Sequence, residues 1–153
     1  MGRVTIRRAV HADLDAIAPL YDAYRQFYEK PADPVLARRF LDQRFRHQDS
    51  TIFVAEDAGG TVIGFTQLYP LFCSVAAERI FVLYDLFVTP SARGTGAGRA
   101  LMEAAEAFGR QEGAARLDLQ TAKTNVVGQS LYESCGWLRD NDFYVYEKSL
   151  TSP

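Results

Sequence analysis

Cysteine and histidine are scarce in this chain, and long hydrophobic runs are missing altogether. The two cysteines, Cys73 and Cys135, lie far apart with no Cys or His at ligand spacing, which argues against a zinc motif or any other metal site. Two free thiols suit a reducing compartment, and both are expected to be buried and inert. The two histidines, His11 and His47, have no companion Ser or Cys motif, which argues against a catalytic triad. No apolar stretch approaches the roughly 20 residues of a membrane span. The opening MGRVTIRRAV also lacks the apolar core of a cleaved leader, so the expected protein is soluble and cytoplasmic. Neither sign of charge is in excess: 17 basic against 19 acidic side chains give a formal net charge of -2. That balance speaks against nucleic acid or an anionic membrane as a partner, and makes RRFLDQRFRH a solvated helix face.

The chain does have length, apolar content and alternating patterns. Its 153 residues, 48% hydrophobic, suffice for a single domain spanning 1–153 with its own core. VTIRRAV alternates as a strand, and Asp13 is placed to cap a helix in which Leu14, Ile17, Tyr21, Tyr24 and Tyr28 recur at three and four residues. Asp33 followed by Pro34 predicts a second helix, with Leu36, Phe40, Leu41 and Phe45 inward. TIFVAED and VIGFTQLYPLF, joined by AGGT, predict a hairpin, and RIFVLYDLFV reads as a central strand. A helix from Gly98 to about Glu112 follows, then the strand RLDLQTA, the short helix NVVGQSLYESCG and the alternating FYVYEKSL as a last strand. The order predicts an α/β or α+β domain with a mixed sheet.

One stretch carries chemistry. ARGTGAGRAL, residues 92 to 101, packs three glycines into five positions between a strand and a helix. Such a turn presents backbone N–H groups at the positive end of a helix dipole, and glycine lets a phosphate approach them. A Walker loop would end in Lys and Ser or Thr, whereas Gly98 is followed by Arg99 and Ala100. A dinucleotide fingerprint would sit early in the chain and show a third glycine that GTGAG lacks. Neither alternative holds.

What remains, Arg93-x-x-Gly96-x-Gly98 after DLFVTPSA and before NVVGQSLYESCGW, resembles the GNAT superfamily of N-acetyltransferases, in a bacterial branch with histone-type and polyamine-like members. The resemblance extends over nearly the whole order of elements. It implies the GNAT fold, a twisted, mixed but mostly antiparallel sheet of six to seven strands flanked by about four helices. It also implies acetyl-CoA as cosubstrate, direct attack by a primary amine (on a small compound, a protein lysine or an N-terminus), and a homodimer.

Residue by residue, the resemblance implies that Arg93, Gly94, Thr95, Gly96, Ala97, Gly98 and Arg99 hold the coenzyme diphosphate. Leu86, Phe87 and Val88 would pair with the pantetheine arm, and the amide of Leu86 would donate to the thioester oxygen. On the last helix Asn125, Gly128 and Tyr132 share one face, with Gly128 leaving room for the coenzyme, while Val127, Leu131 and Cys135 share another that is expected to pack on the sheet. Tyr132 is the implied general acid, since a phenol of pKa about 10 keeps its proton for a departing thiolate. The general base stays open. Polyamine acetyltransferases often carry Glu where Tyr84 stands, and Asp85, Glu56 or a water relay are the other candidates.

Substrate contacts are expected from YDAYRQFYEKPAD and from the segment around LYPLFCSVAAER, with Tyr24, Tyr28, Tyr84 and Asp85 as candidates. Aromatic rings with carboxylates suit an organic cation. The same tyrosines equally suit a buried helix stripe, and both readings stand. A noncatalytic acyl-CoA-binding module is the alternative to an enzyme.

Overall fold

The computed structural model describes residues 2–152 and divides into two compact units, one ending at Thr121 and the other beginning at Ala122. The first unit is built on a five-stranded sheet in the order β1 (Thr5–Arg8), β2 (Thr51–Glu56), β3 (Val62–Cys73), β4 (Glu78–Val88) and β5 (Leu117–Asp118). Neighbours are antiparallel except for β4 and β5, which run parallel. Helices α1 (Leu14–Phe27) and α2 (Pro34–His47) lie between β1 and β2 in the chain, and α3 (Ala97–Gln111) precedes β5.

Each helix follows from its sequence pattern. Asp33 caps α2 as expected, accepting from the amide of Leu36 at 3.1 Å, with Pro34 in the first turn. Asp13 is used differently: it closes a short 3-10 turn, accepting from the amide of Val10, and ion-pairs with Arg7. That guanidinium holds the Asp13 carboxyl below the usual range. Leu101, Met102, Ala105 and Phe108 form the buried face of α3. One core joins α1 and α2 to the sheet through Leu14, Ile17, Leu41, Val54, Phe65 and Phe87, and another joins Ala97 and Leu101 to Ala55 and Ile63.

The second unit contains α4 (Val126–Ser134), capped by Asn125, whose side chain accepts from the amide of Gly128. In this unit Val127 is exposed, and Leu131 and Cys135 are half-buried. The sheet has five strands among the described residues rather than six to seven. RLDLQTA contributes Leu117 and Asp118 to this sheet, paired to Phe81 and Val82, and within the second unit FYVYEKSL forms no ladder of its own.

Gly64, on β3, marks the tightest approach in the sheet. A Cβ there would stand 2.9 Å from the carbonyl oxygen of Phe87 and 3.2 Å from Val88 Cγ2. Gly64→Ala is therefore expected to lower unfolding stability by about 1–3 kcal/mol in chemical denaturation, because backbone of β4 must move to admit the methyl.

Candidate active site

The site in the first unit is organised by an extra residue in β4. Gln67 pairs with Asp85 and the next residue of β3, Leu68, pairs with Leu83, so Tyr84 has no partner across the ladder. Such a bulge bends and twists its strand. β5 follows β4 only along Phe81 and Val82, so among the described residues Leu86, Phe87 and Val88 have a strand partner on the β3 side alone. β4 runs straight on into a short 3-10 turn, Pro90–Ala92, and then into the glycine loop.

In that loop Gly94 and Gly96 have φ of 80° and 86°, a region that side-chain-bearing residues rarely enter, and nothing lies within 4 Å of where a Cβ would be. Gly96 is the N-cap of α3 and carries no capping side chain, and no acidic residue lies in the first helical turn. The first amides of a helix have no intrahelical acceptor and the dipole there is positive. The loop thus offers a bare, electropositive backbone surface. Thr95 Oγ1 donates to the Ala92 carbonyl at 2.6 Å, committing its proton to closing the turn. Arg93 Nε donates to the Val88 carbonyl at 3.1 Å, and its guanidinium lies over the Phe87 ring at 5.5 Å. Arg99 is exposed on the first turn of α3.

The second group of candidates gathers on the α1 side of the bulge. Tyr24 donates to the Tyr84 carbonyl at 3.0 Å, which sets its hydroxyl beside Asp85, whose carboxyl pKa it helps to lower. Its ring meets Tyr28 at 5.2 Å between centroids and Phe87 at 6.4 Å. Tyr84, 65% exposed, packs edge-on against Tyr69 at 5.5 Å. Tyr24, Tyr28, Tyr84 and Asp85 are thus brought together, and Phe87 connects them to Arg93. The helix-stripe reading also has support, since Tyr21 stacks on Phe40 and abuts Phe65 within the core.

Asp85 is 4% exposed, and Gln67 Nε2 donates to it at 2.6 Å. Gln67 in turn accepts from Ser50 Oγ at 2.7 Å, and Thr66 Oγ1 donates to the Asp85 carbonyl. Burial raises the carboxyl to about 6, against the lowering effect of the hydrogen bonds from Gln67 and Tyr24. Burial, with the negative charge of Asp85 next in size, likewise raises Tyr69 and Tyr21. Gln67, Tyr69 and Ser50 were not anticipated. The readable signal was Gln67 itself, an amide in the apolar strand GFTQLY, which requires a buried partner. Glu56 is engaged elsewhere, hydrogen-bonded by Arg7.

In the second unit Asn125 and Tyr132 stand at the cap and on the second turn of α4. The Tyr132 ring neighbours Trp137 at 6.5 Å, and its carbonyl accepts from the Trp137 amide. The space beside Gly128 is filled by the Asn125 side chain, which would lie 2.4 Å from a Cβ there. The helix thus needs glycine at 128 for its own cap. Cys73 is half-buried rather than buried. The amide of Ala76 and the guanidinium of Arg116, 3.8 Å from Sγ, hold its thiol below the ordinary value, so the expectation of an inert buried cysteine is corrected. Cys135 is half-buried as well.

Comparison with known proteins gives consistent findings. The model of the acetyltransferase (GNAT) family matches residues 17–137. An uncharacterized N-acetyltransferase of Bacillus subtilis is 46% identical over 143 residues, covering 94% of this chain and 95% of the relative. A probable acetyltransferase of Haemophilus influenzae is 31% identical over 144 residues, covering 94% of this chain and 97% of its own. The crystal structure of a probable acetyltransferase, 34% identical, superposes with a TM-score of 0.90 over 97% of this chain and 99% of that one.

The raised pKa of Asp85 has a stability consequence. The folded chain binds this proton more tightly than the unfolded chain, so the stabilisation is complete below about pH 4 and is lost as pH rises through about 6. Asp85→Asn removes that dependence. Measured by urea unfolding across this range, the variant should gain on the parent by about 3 kcal/mol between pH 4 and pH 7.

Proposed function

We propose, on the premise that the chain belongs to the GNAT family of acetyltransferases, that it moves acetyl from acetyl-CoA to the primary amine of a small organic cation. The observation that carries this reading is the loop at residues 94–98, a positive-φ turn with open space where side chains would be, leading into the uncapped N-terminus of α3. It fits a diphosphate: the first amides of α3 have no capping side chain, no carboxylate opposes them in the first turn, and Arg93 and Arg99 bracket the loop in the sequence.

In this reading the amides of Gly94 through Gly98 hold the diphosphate, with Arg93 and Arg99 adding charge and Thr95 shaping the turn. Leu86, Phe87 and Val88 offer an extended edge to the amides of the pantetheine arm, and the Leu86 N–H polarises the acyl carbonyl. The coenzyme supplies an activated thioester. Asn125 and Tyr132 are assigned by the family resemblance, Tyr132 as proton donor to the sulfur that leaves. The acceptor class is supported by the gathering of Tyr24, Tyr28 and Tyr84 around the buried Asp85, where rings and a carboxylate together favour a cation. Assembly as a homodimer and residence in the cytoplasm belong to the same proposal and rest on the resemblance and the composition.

The test is release of coenzyme A thiol from acetyl-CoA across a panel of primary amines. Turnover with at least one amine is expected, and Tyr132→Phe should lower kcat on the order of 100-fold while leaving coenzyme affinity nearly unchanged. Coenzyme binding without turnover of any amine would contradict the reading, and an unimpaired Tyr132→Phe would remove that residue from the chemistry.

A further inference from the structure

A primary amine reaches the protein protonated, and the resemblance assigns no residue to take that proton. Of the candidates open from the sequence, Glu56 is held by Arg7 and Tyr84 is a phenol, not a carboxylate. We infer that Asp85 accepts the proton of the acceptor ammonium through the hydroxyl of Tyr24, an assignment that rests on the amine-acceptor reading above.

The geometry is specific. Asp85 is too deeply buried to meet an acceptor itself, at 4% exposure, yet the Tyr24 hydroxyl, anchored at 3.0 Å on the carbonyl of the preceding residue, stands beside its carboxylate. Tyr24 is half-buried, and the rings beside it, Tyr28 and Tyr84, are exposed. An ammonium drawn to those rings therefore meets the half-buried Tyr24 oxygen rather than the buried carboxylate of Asp85. One ammonium N–H bond breaks and its proton joins Tyr24 Oη. In concert, the hydroxyl's own proton passes to an oxygen of Asp85. A neutral amine, an intact phenol and a neutral carboxylic acid result, with no charge left isolated in the interior. After the product leaves, the same hydroxyl returns the proton to water.

Three features of the surroundings suit this role. Gln67, itself fully buried and tied to Ser50, fixes the carboxylate, so its direction does not depend on the substrate. The Tyr84 carbonyl accepts from Tyr24 when the hydroxyl proton is not turned to Asp85, giving that proton two seats. Tyr21 and Tyr24 on α1 and Tyr69 on β3 are titratable groups that interact with Asp85, while Arg25 on α1, Arg44 on α2 and Asp49 in the loop after it act on those tyrosines. Burial outweighs them and leaves Asp85 a stronger proton acceptor than an ordinary carboxylate.

The test compares two near-isosteric acceptors: benzylamine, protonated at neutral pH, and O-benzylhydroxylamine, whose nitrogen is already unprotonated there. With benzylamine, kcat/KM of the parent should level off above about pH 6, whereas in Asp85→Asn it should keep climbing toward the pKa of the amine, leaving the variant about 100-fold slower at pH 7. Tyr24→Phe should behave as Asp85→Asn does. With O-benzylhydroxylamine both variants should stay within about 3-fold of the parent, a difference that a merely structural role for Asp85 would not produce. A plateau retained in both variants, or equal losses with the two probes, overturns the route while leaving the transferase reading intact. Turnover of neither probe by the parent overturns the amine-acceptor reading, and the route with it.

Discussion

The single extra residue at Tyr84 is the constraint on which the rest of the site depends. Without it β3 and β4 would run in register to their ends, and Asp85 and Phe87 would not hold the α1 side while Leu86 and Val88 pack toward α3. A bulge leaves a carbonyl unladdered and invites a buried polar group nearby, and both are provided for. Tyr24 reaches across from α1 to the Tyr84 carbonyl, and Gln67 holds Asp85. Each such bond contributes on the order of 1 kcal/mol, but loss of either partner would leave a buried polar group unpaired at greater cost. The irregularity is thus pinned from two directions.

Opposite electrostatic demands are met on the two sides of Phe87. Toward the loop, bare amides, a helix N-terminus and arginines favour a polyanion. Toward α1, aromatic faces and a buried carboxylate favour a cation. Phe87 carries Arg93 over its ring and Tyr24 against its edge, so the two regions share one side chain without bringing the arginine to the carboxylate as a partner. An acetyltransferase that joins an anionic donor to a cationic acceptor needs such separation, because a direct ion pair between the halves would neutralise both.

The sequence was most legible where a local pattern alone decides the outcome. The spacing of Leu101, Met102, Ala105 and Phe108 predicts the buried face of α3, Asp33 and Pro34 predict the start of α2, and the glycines of ARGTGAGRAL predict an open backbone turn, which takes positive φ at 94 and 96. It was least legible where a partner must be known. The bulge is a register relation between two strands and leaves no mark in either one. Alternation such as that of FYVYEKSL names a face but not the edge it pairs with. Asp13 was expected to cap α1 but closes the turn before it, and its partner Arg7 could be found only in three dimensions. Of the site, the loop and the four α1-side candidates were readable, while Gln67, Tyr69 and Ser50 emerged from packing.

The central claim is that the glycine loop and the unpaired edge of β4 together receive one coenzyme. A crystal structure of the protein with coenzyme A tests it most directly. The account predicts the diphosphate on the amides of residues 94–98 and the pantetheine arm along Leu86 to Val88, with its sulfur directed toward the Tyr24 and Asp85 side of the bulge. Coenzyme bound elsewhere, or a diphosphate seated away from the N-terminus of α3, would contradict it.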